Sequence, residues 1–245
     1  MPTAYRVVEL WRYPVASIGG ETVPSTLVGT QGPVGDRMFV LFDAASGAPA
    51  APEKDRRWHK ALLLSAFVRG YDIPTIRFPH GTELALDDGR AASCLSEFFG
   101  FGVGIGRIGP GEDRRGFPSI EHRQHHFPIH VLTIESLRHL ARLRERETVD
   151  VRRFRPNILL HSQSGDEAGF AEASWIGKRG RTDHVSFAIK EEATRCGMTI
   201  IPQPGIEDDP EILRTILRQN RRRLGAYATV EEPGLISVGD QFEVS

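Results

Sequence analysis

Short runs of apolar and β-branched residues, bounded by turn residues, dominate the pattern of the chain. Residues 5–13 and 38–43 combine aromatic and β-branched side chains, which is typical of strands. Residues 75–78 and 83–86 flank a Pro-His-Gly-Thr turn and predict a β-hairpin. The remaining strand predictions are residues 157–161, 185–190, 226–230 and 235–244.

Three segments instead place their apolar residues at helical spacing. Residues 56–69 end at a glycine and predict a helix. Residues 134–146 repeat leucine behind Thr133, whose hydroxyl is placed as an N-cap. A third helix is predicted from Pro210 to about Arg223, with a capping carboxylate before it and cations at its end. Many short strands with few helices, in no regular alternation, predict a β-rich α+β fold built on β-barrels.

A glycine-rich, charged stretch at residues 100–116 divides the chain. It predicts two parts, residues 1–110 and 111–245, although the N-terminal strands are free to pack into the barrel of the second part. Within the stretch, residues 104–109 match the G-x-G-x-x-G pattern of dinucleotide-binding proteins. Pro110 follows at once and breaks the helix that must receive the pyrophosphate, so we interpret these glycines as part of a loop or irregular strand.

Composition narrows the class of partner. Of the 245 residues, 26% are charged and 40% hydrophobic, and the net charge is −1, which is ordinary for a globular protein. Nucleic acids and membrane surfaces require a basic excess, so we expect a small-molecule partner and neither nucleic acid nor membrane. The N-terminus lacks a signal-peptide pattern, and the two cysteines lie far apart in sequence. We therefore expect a soluble, cytoplasmic protein with reduced thiols.

Cys196 is the first candidate for a reactive atom. It follows Arg195, and a positive charge beside a thiol stabilises the thiolate, which is both a nucleophile and a ligand for soft metals. Arg155 and Asn157 flank a proline before a predicted strand, a layout that suits phosphate or pterin recognition. Arg37 ends a tight Gly-Asp-Arg turn. For Cys196 the alternative is a buried structural thiol, and for the arginines it is a solvated cationic face.

Four histidines form a second cluster. His122, His125, His126 and His130 have spacings that can bind zinc or a similar metal on one helical face. Pro128 interrupts the segment, and no nearby cysteine or carboxylate completes a closed ligand set. Two interpretations of the cluster therefore remain. One is a metal site, and the favoured one is a set of surface or pocket-lining histidines.

Six short motifs occur in order along nearly the whole chain. They are Tyr13-Pro14-Val15-Ala16-Ser17, Gly35-Asp36-Arg37, Phe154-Arg155-Pro156-Asn157, Phe170-Ala171-Glu172 with Trp175, Arg195-Cys196, and Pro233-Gly234 with Gly239-Asp240. Each motif is weak alone, but the ordered set resembles the MOSC domain family, named for the C-terminal domain of molybdenum cofactor sulfurase. The resemblance includes the N-terminal β-barrel region that often accompanies this domain.

The resemblance implies a fold and a cofactor. The fold is a MOSC-type β-barrel over residues 111–245, a smaller β-barrel-like region over residues 1–110, and a few packed helices. The cofactor is a molybdenum cofactor of the molybdopterin type, and similarity to amidoxime-reducing members makes Cys196 the thiolate on molybdenum and the catalytic residue. The implied pterin- and phosphate-binding residues are Ser17, Arg37, Arg155 and Asn157.

Two departures from the family pattern affect this site. Ala16 stands where relatives usually have lysine, which removes one cation from the phosphate pocket. His125 and His126, followed by Phe127, stand where the amidoxime reducers have small polar or acidic residues. We expect these two histidines to line the substrate pocket, where imidazole can supply a proton donor near neutral pH.

The leading functional prediction is a molybdenum-dependent oxidoreductase that reduces N-oxygenated or related small substrates, with electrons from a separate donor protein. One alternative is a sulfurtransferase or persulfide carrier, in which Cys196 accepts sulfur from a donor protein. Another is a non-catalytic cofactor carrier. We expect neither a pyridoxal-phosphate domain nor an iron–sulfur cluster in this chain.

Overall fold

A computed structural model describes residues 3–69, 73–109, 115–121, 127–164 and 169–245. The strands are β1 (Thr3–Arg12), β2 (Val15–Ala16), β3 (Glu21–Val23), β4 (Ser25–Gly29), β5 (Gly32–Pro33), β6 (Phe39–Asp43), β7 (Ser65–Phe67), β8 (Thr75–Arg77), β9 (Glu83–Ala85), β10 (Val103–Ile108), β11 (Ser119–Ile120), β12 (Ile129–Thr133), β13 (Ile158–Ser162), β14 (Arg179–Arg181), β15 (Ser186–Thr194), β16 (Arg223–Glu232), β17 (Gly234–Ser237) and β18 (Gln241–Val244). The α-helices are α1 (Ala91–Phe99), α2 (Ile134–Leu143) and α3 (Pro210–Asn220). The 3-10 helices are Arg56–Leu63, Val151–Arg153, Ala171–Trp175 and Gly197–Ile200.

Seven strands close into a barrel. Their order is β13, β12, β16, β15, β14, β18 and β1, and β1 pairs back onto β13. All neighbours are antiparallel except β12 and β13, and β3 extends the sheet beyond β1. Buried aromatic side chains fill the interior, where the Tyr5 ring meets the Trp175 ring edge-on at 4.9 Å. The barrel confirms the β-rich α+β prediction.

The remaining strands form three small sheets beside a second core. Sheet β11-β10-β6-β2 and hairpin sheet β7-β8-β9 pack around Trp58, whose ring centroid lies 4.8 Å from those of both Phe99 and Phe101. The third sheet joins β4 and β5 from the N-terminal half to β17 from the C-terminal half. With β1 in the barrel as well, the two halves share sheets. The predicted boundary at residues 110 and 111 lies outside the described residues and stays a prediction.

Local capping signals place two helices as expected. Thr133 caps α2, because its side chain accepts a hydrogen bond from the Ser136 amide at 3.1 Å. Asp209 caps α3, and Pro210 occupies its first turn. The hairpin of β8 and β9 is confirmed too. Helix α3 ends at Asn220, three residues before the predicted end.

The helix predicted over residues 56–69 is wrong beyond Leu63. The segment forms a 3-10 helix over Arg56–Leu63 and then the strand β7. The Leu64 carbonyl accepts a hydrogen bond from the Gly19 amide at 2.8 Å, and the Ala66 amide donates to the Gly19 carbonyl at 2.9 Å. This pairing with a distant loop stabilises extended backbone, so tertiary contacts override the helical pattern.

The glycine pattern at residues 104–109 lies in a strand rather than at the start of a helix. It forms most of β10, which pairs antiparallel with β6. A Cβ atom on Gly104 would lie 2.2 Å from the Phe42 ring, and one on Gly106 would lie 2.3 Å from the Ile120 side chain. These glycines therefore permit close packing, as the irregular-strand interpretation requires. Across the described ranges, none of the helices has the length and apolar character needed to span a membrane.

Candidate functional site

The candidate site is built around the buried side chain of Tyr13. Antiparallel pairing of β1 with β13 brings Tyr13 beside the segment that precedes β13, and its hydroxyl donates to the Pro156 carbonyl at 3.1 Å. The Arg155 guanidinium lies 4.1 Å from the centroid of the Tyr13 ring, and that of Arg37 lies 5.5 Å from it. Two arginines that are 118 positions apart in sequence therefore meet at one aromatic ring.

Asp36 is the acid at this ring. Its side chain is 4% exposed and accepts hydrogen bonds from the Tyr13 amide at 2.7 Å and from the Arg37 guanidinium. Arg155 donates to the Ile18 carbonyl. Burial, with a smaller contribution from the charge of Arg37, lowers the pKa of Arg155 to about 10, so Arg155 remains protonated at neutral pH. Asp36 pairs with Arg37, whereas Arg155 donates to a carbonyl, so the Asp36 carboxylate offsets the charge of only one of the two guanidinium groups.

Three of the predicted binding residues have strained backbones. Ser17, Arg37 and Arg155 have φ values of 68°, 49° and 55°, in the left-handed region that favours glycine. This conformation costs about 1–2 kcal/mol for each residue with a Cβ atom. Strain of this kind concentrates at functional sites, where the surrounding structure enforces it. In Ser17, the hydroxyl also donates to the Ala50 carbonyl at 2.9 Å.

Asn157 is enclosed by protein groups. Its side-chain oxygen accepts from the His130 amide at 3.2 Å, and its side-chain nitrogen donates to Asp36 at 3.3 Å and to the Trp11 carbonyl at 3.4 Å. The residue is 1% exposed. It holds Asp36 in place, and its direct contact with a cofactor stays a prediction.

Cys196 is exposed at the start of the 3-10 helix Gly197–Ile200. Its carbonyl accepts from the Thr199 amide at 3.2 Å and from the Thr199 hydroxyl at 3.0 Å, which fixes the turn. The Arg195 guanidinium donates to the Phe154 carbonyl, so the residue before Cys196 is bonded to the residue before Arg155. The structure thus brings Cys196 towards the ring cluster.

Two buried arginines, Arg153 and Arg195, hold the Cys196 turn. The Arg195 guanidinium points inward and donates to the Phe154 carbonyl at 3.0 Å and to the Tyr227 hydroxyl at 3.1 Å. Arg153 donates to the Thr199 carbonyl at 3.1 Å. Its position in a cationic run was visible in the sequence, but the run gave no sign that Arg153 faces inward.

The histidines separate into two groups. His122, His125 and His126 lie outside the described residues, so their predicted roles stay predictions. His130 is buried, and its Nδ1 lies 3.4 Å from the Arg155 carbonyl. Burial, with the charge of Arg195, lowers the pKa of His130 well below its usual value, so the ring is neutral at pH 7. Among the residues that the structure describes, no three His, Cys, Asp or Glu side chains are placed to hold a metal ion.

A comparison with a solved structure of similar length agrees with this fold. The crystal structure of the YuaD protein from Bacillus subtilis matches 100% of this chain and 97% of its own, with a TM-score of 0.53 and 14% identity. YiiM from Geobacillus stearothermophilus matches 49% of this chain and 54% of its own, with a TM-score of 0.37 and 13% identity. No curated protein matches significantly. The family model described as the MOSC domain matches residues 118–243, which is half of the chain. The chain therefore belongs to the MOSC domain family.

Proposed function

We propose that this chain binds a molybdopterin-type cofactor at the Tyr13 cluster and reduces N-oxygenated or related small substrates. The observation that carries the proposal is the meeting of Arg37 and Arg155 at one ring, where Asp36 pairs with Arg37 only. The exposed Cys196 thiol lies in the turn that Arg153 and Arg195 bond to the segment carrying Arg155. This arrangement combines a place for an anionic group with a soft metal ligand.

The charges of the cluster suit a phosphate group. Arg37 and Arg155 repel each other, and burial makes the charge of Arg155 costly. A bound anion would offset both effects, and the planar fork of a guanidinium matches phosphate oxygens. Asp36 and the Tyr13 ring hold the two guanidinium groups in place beforehand, so binding requires little further ordering.

Ala16 leaves the proposed phosphate pocket of this chain without the positive charge that a lysine at this position would supply. Its side chain is buried in β2, which pairs with β6, so no cation extends from this position. Arg37 and Arg155 must then supply the positive charge that binds the phosphate. Ser17 follows Ala16, and its strained backbone places its hydroxyl next to the turn at Ala50.

Cys196 offers the sulfur ligand. An exposed thiol can be reached by a bound metal, and sulfur is a ligand that soft metals prefer. When bound, the cofactor supplies the redox chemistry of oxygen-atom removal. The chain binds and orients the cofactor, while Arg153 and Arg195 fix the turn that carries the thiol.

A persulfide carrier is the second candidate, because the Cys196 thiol is exposed. An exposed thiol is accessible to a sulfur-donor protein, and sulfur transfer through a persulfide needs no metal. A cofactor carrier without turnover would use the same cluster and would pass its cofactor to an acceptor enzyme.

Metal and pterin analysis tests these candidates. The wild type, Cys196→Ser, Arg155→Gln and the control Cys94→Ser are purified from a host that makes the molybdenum cofactor. Cys94 packs against the N-terminal core, away from the cluster. The oxidoreductase proposal predicts molybdenum and pterin in the wild type and Cys94→Ser, loss of molybdenum in Cys196→Ser, and loss of both in Arg155→Gln. A wild type without molybdenum overturns it, and a reductant-labile sulfur adduct on Cys196 would support the persulfide carrier.

A further inference from the structure

A cleft of about 680 Å³ lies between the N-terminal hairpin sheet and the C-terminal segment around Arg152. We propose that this cleft is a second ligand site, for a small organic anion with an apolar or aromatic body. Its volume falls in the range of small-molecule pockets, about 300–1,000 Å³. Arg155 belongs to its lining, whereas Ser17, Arg37 and Cys196 do not. The inference therefore goes beyond the proposed cofactor site, with which the cleft shares Tyr13 and Arg155.

The charge of the lining selects an anion. The charged side chains that the structure places there are four arginines and one acid: Arg69, Arg77, Arg152, Arg155 and Glu21. Glu21 is paired with Arg12 at 2.8 Å and Arg152 with Asp150 at 2.7 Å, so the positive excess comes from Arg69, Arg77 and Arg155. In a chain of net charge −1, such a cleft concentrates positive potential and raises the local concentration of anions.

The arginines at the outer wall share one counter-ion. Arg69 and Arg77 both pair with Glu83 at 2.8 Å, and both guanidinium groups lie 4.9 Å from the centroid of the Phe67 ring. Two cations with one carboxylate leave a positive charge at the entrance. On the inner wall, Arg155 is half-buried and donates to a carbonyl rather than to a carboxylate.

The remaining lining selects an apolar body. Trp11, Leu62, Leu64, Phe67 and Phe78 contribute to the walls. Trp11 is partly exposed, and its ring stacks on that of Tyr13 with an angle of 10° between the planes. An aromatic ligand can therefore extend the stack, because offset rings attract each other beyond the area that they bury.

Gln203 adds a donor that the fold does not use. The residue is 6% exposed and lines the cleft, and within the described residues its side-chain nitrogen has no hydrogen-bond partner. Its backbone exchanges hydrogen bonds with Ile206 at 2.9 and 2.8 Å, which holds the residue at the wall. Buried donors without partners are rare and costly. Rotation of the terminal amide directs it at a ligand oxygen.

Calorimetry on the full chain from a host that lacks the molybdenum cofactor tests the site. The probes are two aromatic anions, phenyl phosphate and benzoate. Inorganic phosphate tests the anionic group without a ring, and benzyl alcohol tests the ring without a charge. Quenching of Trp11 fluorescence gives a second signal, because the other two tryptophans are buried. We expect phenyl phosphate or benzoate to bind at least about tenfold more tightly than either fragment. The tighter of the two identifies the anionic group as phosphate or carboxylate.

Paired variants test the residues. Arg69→Gln with Arg77→Gln should weaken binding about tenfold. The matched control, Arg90→Gln with Arg181→Gln, removes two exposed, ion-paired arginines outside the cleft and should bind like the wild type. Gln203→Leu should weaken binding several-fold without lowering the Tm, because it removes an unpaired donor.

Four outcomes overturn the inference, and the first three are no binding of either aromatic anion, equal weakening in the control pair, and inorganic phosphate binding as tightly as phenyl phosphate. Loss of probe binding when the protein carries the molybdenum cofactor also overturns it, because the cleft would then belong to the cofactor site. Molybdenum content is measured separately, so failure of this inference leaves the proposed function standing, and the reverse also holds.

Discussion

Arg153 and Arg195 each donate a hydrogen bond to a backbone carbonyl in the segment that carries the other. Arg195 precedes Cys196 in the sequence, and its guanidinium donates to the carbonyl of Phe154 at 3.0 Å. Arg153 precedes Phe154 in the sequence, and its guanidinium donates to the carbonyl of Thr199 at 3.1 Å. Thr199 belongs to the turn that follows Cys196. Each segment thus holds the other through a buried cation. This reciprocal pair fixes the separation between the Cys196 turn and the segment that carries Arg155.

Replacing either arginine should destabilise the protein. Arg195→Met or Arg153→Met leaves backbone carbonyls buried without donors, and we expect the free energy of unfolding to fall by about 2–4 kcal/mol. Urea denaturation measures the loss. Arg214→Gln, at an exposed arginine on α3, is the control and should change it by less than about 0.5 kcal/mol. A loss no larger than that of the control would contradict the role of the reciprocal pair.

The buried carboxylate of Glu172 should make stability depend on pH. It accepts hydrogen bonds from the Thr133 amide and hydroxyl at 2.7 and 2.8 Å and from the Ser136 hydroxyl at 2.6 Å, at the start of α2. Burial raises the pKa of Glu172 above its ordinary value of 4.5. The folded state therefore holds its proton to higher pH than the unfolded state, and stability falls as pH rises from about 4.5 towards the raised pKa.

Glu172→Gln removes this titration but keeps a side chain that can accept from Thr133. Denaturation curves collected from pH 4 upwards should therefore show a smaller decrease in stability with rising pH in the variant than in the wild type. Glu172→Ala should lose about 2–4 kcal/mol, because it leaves buried donors unpaired. Identical pH slopes in the wild type and Glu172→Gln would show that Glu172 does not titrate in this range.

Strain at Ser17 can be measured with two substitutions. Ser17→Ala keeps the strained φ of 68° and loses the hydrogen bond to Ala50, so we expect a loss of about 1 kcal/mol. Ser17→Gly loses the same hydrogen bond but relieves the strain, so it should be about 1–2 kcal/mol more stable than Ser17→Ala. Thermal or urea unfolding of the two variants gives the difference directly, and equal stabilities would mean that the backbone is relaxed at this position.

Local signals in the sequence predicted elements that are stabilised locally. Thr133 and Asp209 cap the helices that follow them, because a cap contacts residues only two or three positions away. The strand β7 was missed because its stabilising partners, Gly19 and β8, lie elsewhere in the chain. Residue types alone could not reveal the positive φ values of Arg37 and Arg155, since arginine gives no signal for a left-handed backbone.

In the candidate site, too, the sequence predicted some residues and missed others. Motif resemblance selected Arg37 and Arg155, and the structure places both at Tyr13. The motif resemblance gave no role to Asp36, whose partners Tyr13 and Asn157 are 23 and 121 positions away. A buried carboxylate that joins distant segments can be recognised only when the fold brings those segments together.

The positive charge near Cys196 should appear in its alkylation rates. Iodoacetate is an anion and iodoacetamide is neutral, so the ratio of their rates at one pH reports the potential at the thiol rather than its reactivity. Because two hydrogen bonds join the Cys196 turn to the segment that carries Arg155, we expect Arg155→Gln to lower this ratio by about threefold at low salt. High salt should reduce the difference from the wild type, since ions screen exposed charges. Arg181→Gln removes a distant exposed charge and should leave the ratio unchanged. An unchanged ratio in Arg155→Gln would mean that this charge does not act at the thiol, and the proposed pairing of an anion site with a metal ligand would lose its electrostatic basis.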